Sequence, residues 1–178
     1  MAKKASTGKW QKYAHLSERL EIPAKTILLR EGEIAKHTYF IEKGCIRTWF
    51  NNAGKEVTLN FHFEGEGVSS IESLRTETPS AYYLESLEPS TIYKIGRKEF
   101  SMIMAESPDF KARIEEVAFQ TLFLYQRLFL SRIKDSPEER YKDLIKNHPK
   151  IIQRIPQHYI ASYLGITPVH LSRIRNKR

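Results

Sequence analysis

The periodicity of the chain changes at residue 96, and that change limits the architectures open to it. Before it, apolar and polar residues alternate over short stretches bounded by turn formers; after it, apolar residues recur every three or four positions. The order is that of an α+β chain, strands first and helices afterwards.

In the strand half, Val57, Leu59, Phe61 and Phe63 alternate with Thr58, Asn60 and His62, the period of two of a strand with one buried face. Cys45-Ile46-Arg47-Thr48-Trp49-Phe50 is rich in strand formers, and Asn51-Asn52-Ala53-Gly54 tolerates positive φ, so the two runs predict a hairpin. Further strands are expected at 26–29, 38–42, 82–87 and 91–95, with turns at Gly32, Gly44, Gly65, Gly67 and Glu88-Pro89. Short strands at this spacing point to a small antiparallel barrel or roll.

In the helical half, a short helix over 97–106 is closed by Ser107-Pro108, a cap followed by a first-turn proline. The next helix is expected to run to about residue 133, because Phe110, Ile114, Val117, Ala118, Thr121, Leu122, Tyr125, Leu128 and Phe129 step by three or four. At about 1.5 Å per residue it is a rod of roughly 35–40 Å. Phe119, Phe123, Leu124 and Leu130 place further apolar surface on its other sides, more than one docking partner covers. A homodimer through 108–133 is therefore expected. Ser136-Pro137-Glu138-Glu139 is a capping box that starts another helix, running to about Lys146 before His148-Pro149 ends it. The expected division is a roll plus long helix over 1–133 and an all-helical module over 134–178.

Charge supports that division. The 178 residues carry a formal +8, but 1–20 hold +4, 134–178 hold +6 and the body between them −2. A near-neutral body with a basic C-terminal third suggests that the terminal module meets an anion. Cys45 is the single cysteine, so there is no disulfide framework, and the six histidines have no metal-ligand spacing, so no metal is expected. Met1-Ala2-Lys3-Lys4 opens onto polar sequence and no run approaches the 18 or so apolar residues of a membrane span, so a soluble cytoplasmic protein is expected. The chain has no phosphate loop, nucleophile elbow or zinc-protease pair, and Gly65-Glu66-Gly67 lacks the rest of a dinucleotide fingerprint; no catalytic residue and no enzyme are expected.

The last 22 residues are the most specific. Counting Gln157 as the first position, Ala161 is fifth, Gly165 ninth, Leu171 fifteenth and Ile174 eighteenth. A small residue at Ala161 lets two helices cross closely, and Gly165 supplies the turn between them. Ile160, Leu164, Ile166, Leu171 and Ile174 form the buried side, while Thr167-Pro168 caps and starts the second helix. These are the spacings of a helix-turn-helix, whose second helix enters the major groove of double-stranded DNA. The candidate DNA-binding residues are Thr167, Pro168, Val169, His170, Ser172, Arg173, Arg175, Asn176 and Lys177. Arg173 is the best candidate for a guanine edge, and Arg175, Lys177 and Arg178 for phosphates.

The order of elements resembles the catabolite-activator/FNR (CRP/FNR) family of bacterial transcription regulators, from about Leu16 to Arg178. Arg30-Glu31-Gly32-Glu33, Tyr39-Phe40-Ile41-Glu42-Lys43-Gly44, Leu87-Glu88 and the helix-turn-helix carry the resemblance. It implies an N-terminal cyclic-nucleotide-binding β-roll of double-stranded β-helix, jelly-roll-like form, a long dimerisation helix and a C-terminal DNA-binding domain. It implies a roughly palindromic site and the transcription machinery as a partner. The family's nucleotide binders carry a Gly-Glu pair for the ribose and an Arg-Ser/Thr-Ala run for the cyclic phosphate. Here the matching positions are Ser69-Ser70 and Pro79-Ser80-Ala81, with Arg75 nearby. Proline offers neither charge nor N–H, so cyclic AMP or GMP is not expected as a cofactor, and these six residues form the candidate pocket of some other effector. The single cysteine also excludes the four-cysteine cluster of oxygen-sensing relatives. Only nine residues, 148–156, separate the preceding expected helix from Gln157, so the module is expected to be reduced and wingless. The alternative expectation is a ligand-sensing or protein-interaction module whose helix-turn-helix is vestigial.

Overall fold

The computed structural model describes residues 15–176. The elements up to residue 106 are β1 (Glu18–Ile22), β2 (Ile27–Leu29), β3 (His37–Lys43), β4 (Ile46–Asn52), β5 (Lys55–His62), β6 (Gly67–Val68), α1 (Ile71–Thr76), β7 (Tyr83–Ser86), β8 (Ser90–Gly96) and α2 (Arg97–Glu106). They are followed by α3 (Pro108–Lys134), α4 (Pro137–Asn147), α5 (Pro149–Arg154), α6 (Gln157–Leu164) and α7 (Pro168–Asn176). Two compact units result, divided between Glu106 and Ser107. The long helix thus groups with the helices after it, whereas the sequence placed the boundary after residue 133.

The first unit is two antiparallel sheets, ordered β1-β8-β3-β6 and β2-β7-β4-β5. Their inner faces enclose Tyr39, Ile41, Ile46, Leu84 and Ile92, closed by Val68 and by Leu74 of α1. The expected hairpin is β4–β5. Ala53 (φ 50°) and Gly54 (φ 87°) make its two-residue turn, and Asn51 Oδ1 accepts from the Gly54 N–H at 2.8 Å. Two positive φ values in succession give the turn the twist its strands need.

The expectation of one buried face on β5 is corrected. Thr58 and Asn60 are buried while Val57 and Leu59 are only half-buried. A register irregularity at Thr48/Trp49 displaces the alternation, and Arg47 on the neighbouring strand buries the second face. The Arg47 guanidinium is wholly buried, its Nη2 2.6 Å from both Glu56 and Glu85 and its carbon 4.9 Å from the Trp49 ring centroid.

The second unit has well-marked helix starts. Ser107 Oγ accepts from Phe110 N at 3.3 Å at the head of α3, and the expected capping box of Ser136 and Glu139 opens α4. Both hydrogen bonds with Ser136 hold the Glu139 carboxyl below its ordinary range. Tyr141, Leu144, Ile151, Ile155, Ile160 and Leu164 fill the core of the terminal helices. Among the described residues no helix is long and apolar enough to cross a membrane.

Candidate functional site

Two places answer to the residues singled out above. The first is the segment from β6 to β7, which contains α1. Ser69, Ser70 and Ser80 come together there and are buried. The Ser80 hydroxyl has two acceptors within reach of its one proton, the Ser70 hydroxyl at 3.0 Å and the Tyr82 carbonyl at 2.8 Å. Tyr82 Oη donates to the Ser69 carbonyl at 3.2 Å, and Ser69 Oγ donates to the His37 carbonyl at 3.1 Å. Burial pushes the Tyr82 phenol up, so it remains a donor. The hydroxyls are thus satisfied by one another and by backbone.

The other three residues of the candidate pocket do not join them. Arg75, Pro79 and Ala81 are exposed, and Pro79 makes a bridge to Ile34 instead. Arg75 is therefore not aimed inward as a substitute phosphate partner, because the last turn of α1 faces outward at that position. A groove of about 490 Å³ opens elsewhere, along Leu28, Leu29 and residues 33–37 to Tyr39, and none of the six lines it.

The guanidinium that works in this segment is one the sequence did not single out. Arg97, at the start of α2, donates to the Ala35 carbonyl at 3.0 Å and pairs with Glu77 at 2.5 Å, lowering the Glu77 carboxyl. Glu77 has φ 59° and closes α1, so Arg97 fastens the end of α1 to the β2–β3 connection. No spacing signal marks such a contact, since its partners lie 20 and 62 residues away.

The second place is α6, the turn at Gly165 and α7. Gly165 has φ +70°, the left-handed conformation expected of it. Thr167 Oγ1 accepts from the His170 N–H at 3.2 Å and so caps α7. Leu171 is 1% exposed and Ala161 0% exposed, the close crossing the small residue allows. Ile166 and Ile174 are only half-buried, because they lie at the margin of the contact. Thr167, Pro168, Val169, His170, Ser172, Arg173, Arg175 and Asn176 are all exposed; Lys177 lies outside the described residues.

The family model of the cyclic nucleotide-binding domain matches residues 19–107. The chain belongs to that family. Its matched segment runs from β1 to the end of α2, so the serine-lined segment is part of the cyclic nucleotide-binding domain. Over 99 residues the chain is 27% identical to the Pycsar effector protein XpPycTIR of Xanthomonas perforans, covering 56% of this chain and 31% of that protein. The chain therefore spans about a third of the length of that curated relative. Among solved structures, a CooA double mutant from Carboxydothermus hydrogenoformans aligns with a TM-score of 0.79 at 17% identity, over 99% of this chain and 84% of that one. The c-di-GMP responsive global regulator CLP of Xanthomonas campestris aligns with a TM-score of 0.76 at 17% identity, over 97% and 91%. At such identities the likeness is one of fold, and it extends past the nucleotide-binding domain into the terminal helices.

At the positions matched to the family's ribose and phosphate partners the side chains are the uncharged Ser69, Ser70, Pro79 and Ser80. A cyclic phosphate in a protein interior needs a charged partner, and Ser70 and Ser80 supply hydroxyls already engaged with each other.

Proposed function

We propose that this protein is a sequence-specific DNA-binding transcription regulator, a homodimer formed through α3, whose nucleotide-binding domain has lost its cyclic nucleotide. The observation that carries this reading is α7. It buries Leu171 against its supporting helix and presents His170, Ser172, Arg173, Arg175 and Asn176 together to solvent. A short capped helix with that face is what a major groove admits, and the module holding it carries most of the chain's excess charge. Arg173 reads a guanine edge, and Arg175 holds a phosphate. An effector acting through the roll would be held by hydroxyls and apolar surface rather than by a carboxylate and an arginine.

Selection from a randomised duplex library tests the reading. The expected product is a roughly palindromic site with half-sites about 34 Å apart, and Arg173→Ala should relax one base position in each half by about 1–3 kcal/mol. Recovery of no preferred sequence would overturn it. A melting-temperature screen tests the roll: a rise with micromolar cyclic AMP or GMP would overturn the loss of the nucleotide.

The likeness to a Pycsar effector favours a second reading, a ligand-sensing module that works by protein contact. It predicts only weak, unselective DNA binding that disappears with salt.

A further inference from the structure

The last four carbonyls of an α-helix have no partner within it. In α6 all four are satisfied, and by two different means. Ile166 N donates to Ala161 O and Gly165 N to Ser162 O, both at 3.0 Å, which is the backbone closure of a glycine-terminated helix. The remaining two accept from guanidinium groups: Arg132 Nη2 donates to Tyr163 O at 2.8 Å and Arg140 Nη2 to Leu164 O at 3.1 Å. Arg140 Nη1 also donates to Asp135 O at 2.7 Å, in the link between α3 and α4. The two arginines therefore come from the last turn of the long helix and the first turn of the next one, and converge on one helix end.

Arg140 is half-buried and Arg132 is exposed as a whole residue, but their guanidinium groups meet a narrow cleft. The cleft between these three helices holds about 40 Å³, room for a water or two. A Cβ placed on Gly165 would lie 3.0 Å from Arg132 Nη1, so the guanidinium passes close against the turn. Positive charge at the negative end of α6 strengthens both bonds.

We infer that Arg132 and Arg140 are positioning residues that fix the direction in which α6, and with it α7, leaves the long helix. Arg132 shares the last turns of α3 with Phe129 and Ile133, which are 66% and 70% exposed, while its own guanidinium turns to the end of α6. The rotation of α3 about its axis and the placement of α7 are thus set by one turn of helix. The consequence for DNA rests on the reading proposed above: in a dimer through α3, the clamp sets the spacing of the two groove-reading helices.

The test uses the full chain and has one arm without DNA. Spin labels at Gln120→Cys and Ser172→Cys, diluted with unlabelled chain, report the distance from α3 to α7. The native background should give one narrow distribution, and Arg132→Gln a broad one at unchanged helical content. Arg132→Lys, which keeps the charge but loses the fork of donors, should fall between them. A width unchanged in Arg132→Gln overturns the inference, whatever happens with DNA. In the DNA arm, Arg132→Gln should weaken binding about tenfold, the size of one charge-assisted hydrogen bond. It should also accept half-site spacings the native protein rejects, while base preferences within each half-site stay the same. Native spacing selectivity in Arg132→Gln overturns the consequence for DNA. Broadening in a chain that selects no DNA sequence would uphold the clamp and overturn the reading.

Discussion

Arg47 is a charge with no exposure, held between two carboxylates that differ in kind. Glu85 is 8% exposed and Glu56 half exposed, although both lie 2.6 Å from the same nitrogen. A solvated partner contributes little, so Glu56→Gln should cost under about 1 kcal/mol. Arg47→Met instead leaves the Glu85 carboxylate buried, with the exposed Lys25 at 3.7 Å as its counter-ion. That should cost about 3–5 kcal/mol in urea unfolding, and adding Glu85→Leu should restore most of it, because a buried pair replaced by apolar residues is close to neutral. A double variant no more stable than Arg47→Met would refute this. His37 ties stability to pH near neutrality. Burial lowers its pKa first and Lys94 next, with Lys36 in the same direction and Glu18 and Glu99 opposing. The folded state therefore disfavours the proton: the contribution is complete above about pH 6.5 and is lost as the pH falls through the lowered folded value. The melting temperature should fall on acidification below pH 6.5, and His37→Gln should flatten that fall; equal slopes would exclude His37 as the cause.

The long helix α3 shows how far an element can be read from its pattern. Its residues Phe110, Ile114, Val117, Thr121, Leu124 and Leu128 form a buried to half-buried stripe. A second stripe, Phe119, Leu122, Phe123, Phe129, Leu130 and Ile133, is 45–70% exposed. The second apolar stripe supports the proposed pairing of α3 with a copy of itself, which fits the stepping by three and four. Phe129→Glu should turn a dimer into a monomer in sedimentation velocity. Two phenylalanines at about 1.5–3 kcal/mol each correspond to a dissociation constant weaker by roughly a hundredfold or more. A monomer in the native chain, or a dimer in the variant, would refute it. Elements with strong local signals were legible: the β4–β5 hairpin from its turn residues, α3 and α4 from cap, proline and period. Those made by distant partners were not. β1 pairs with β8 across some seventy residues, β6 has two residues, and α1 and α5 have six each, too few to display a period.

At the scale of the whole chain the sequence located the charge and the terminal helix pair, while in the roll only part of the candidate pocket comes together. Ser69, Ser70 and Ser80 do meet, whereas Arg75, Pro79 and Ala81 face solvent; a motif aligned by residue type does not report which way a short helix turns its side chains. Arg97 and Arg47, the guanidiniums that tie the roll together, sit in runs with no distinguishing spacing. The same limit applies to Arg132 and Arg140, whose targets are backbone carbonyls and so leave no trace in the partner's side chain. The exposed cations of α7 are the opposite case, since their role depends on facing outward and their spacing shows that they do. They also separate two kinds of contact by experiment. Arg173 and Arg175 are both exposed, and in the proposed function Arg175, near the C-terminal end of α7, meets a phosphate while Arg173 meets a base edge. Arg175→Ala should weaken binding to every duplex by a similar factor and reduce the slope of log affinity against log salt by about 0.9, one released counterion. Arg173→Ala should relax specificity at one base position in each half-site. If Arg175→Ala altered sequence preference and Arg173→Ala altered only the slope, the recognition helix would be seated in the groove about half a turn from the orientation its exposed face dictates.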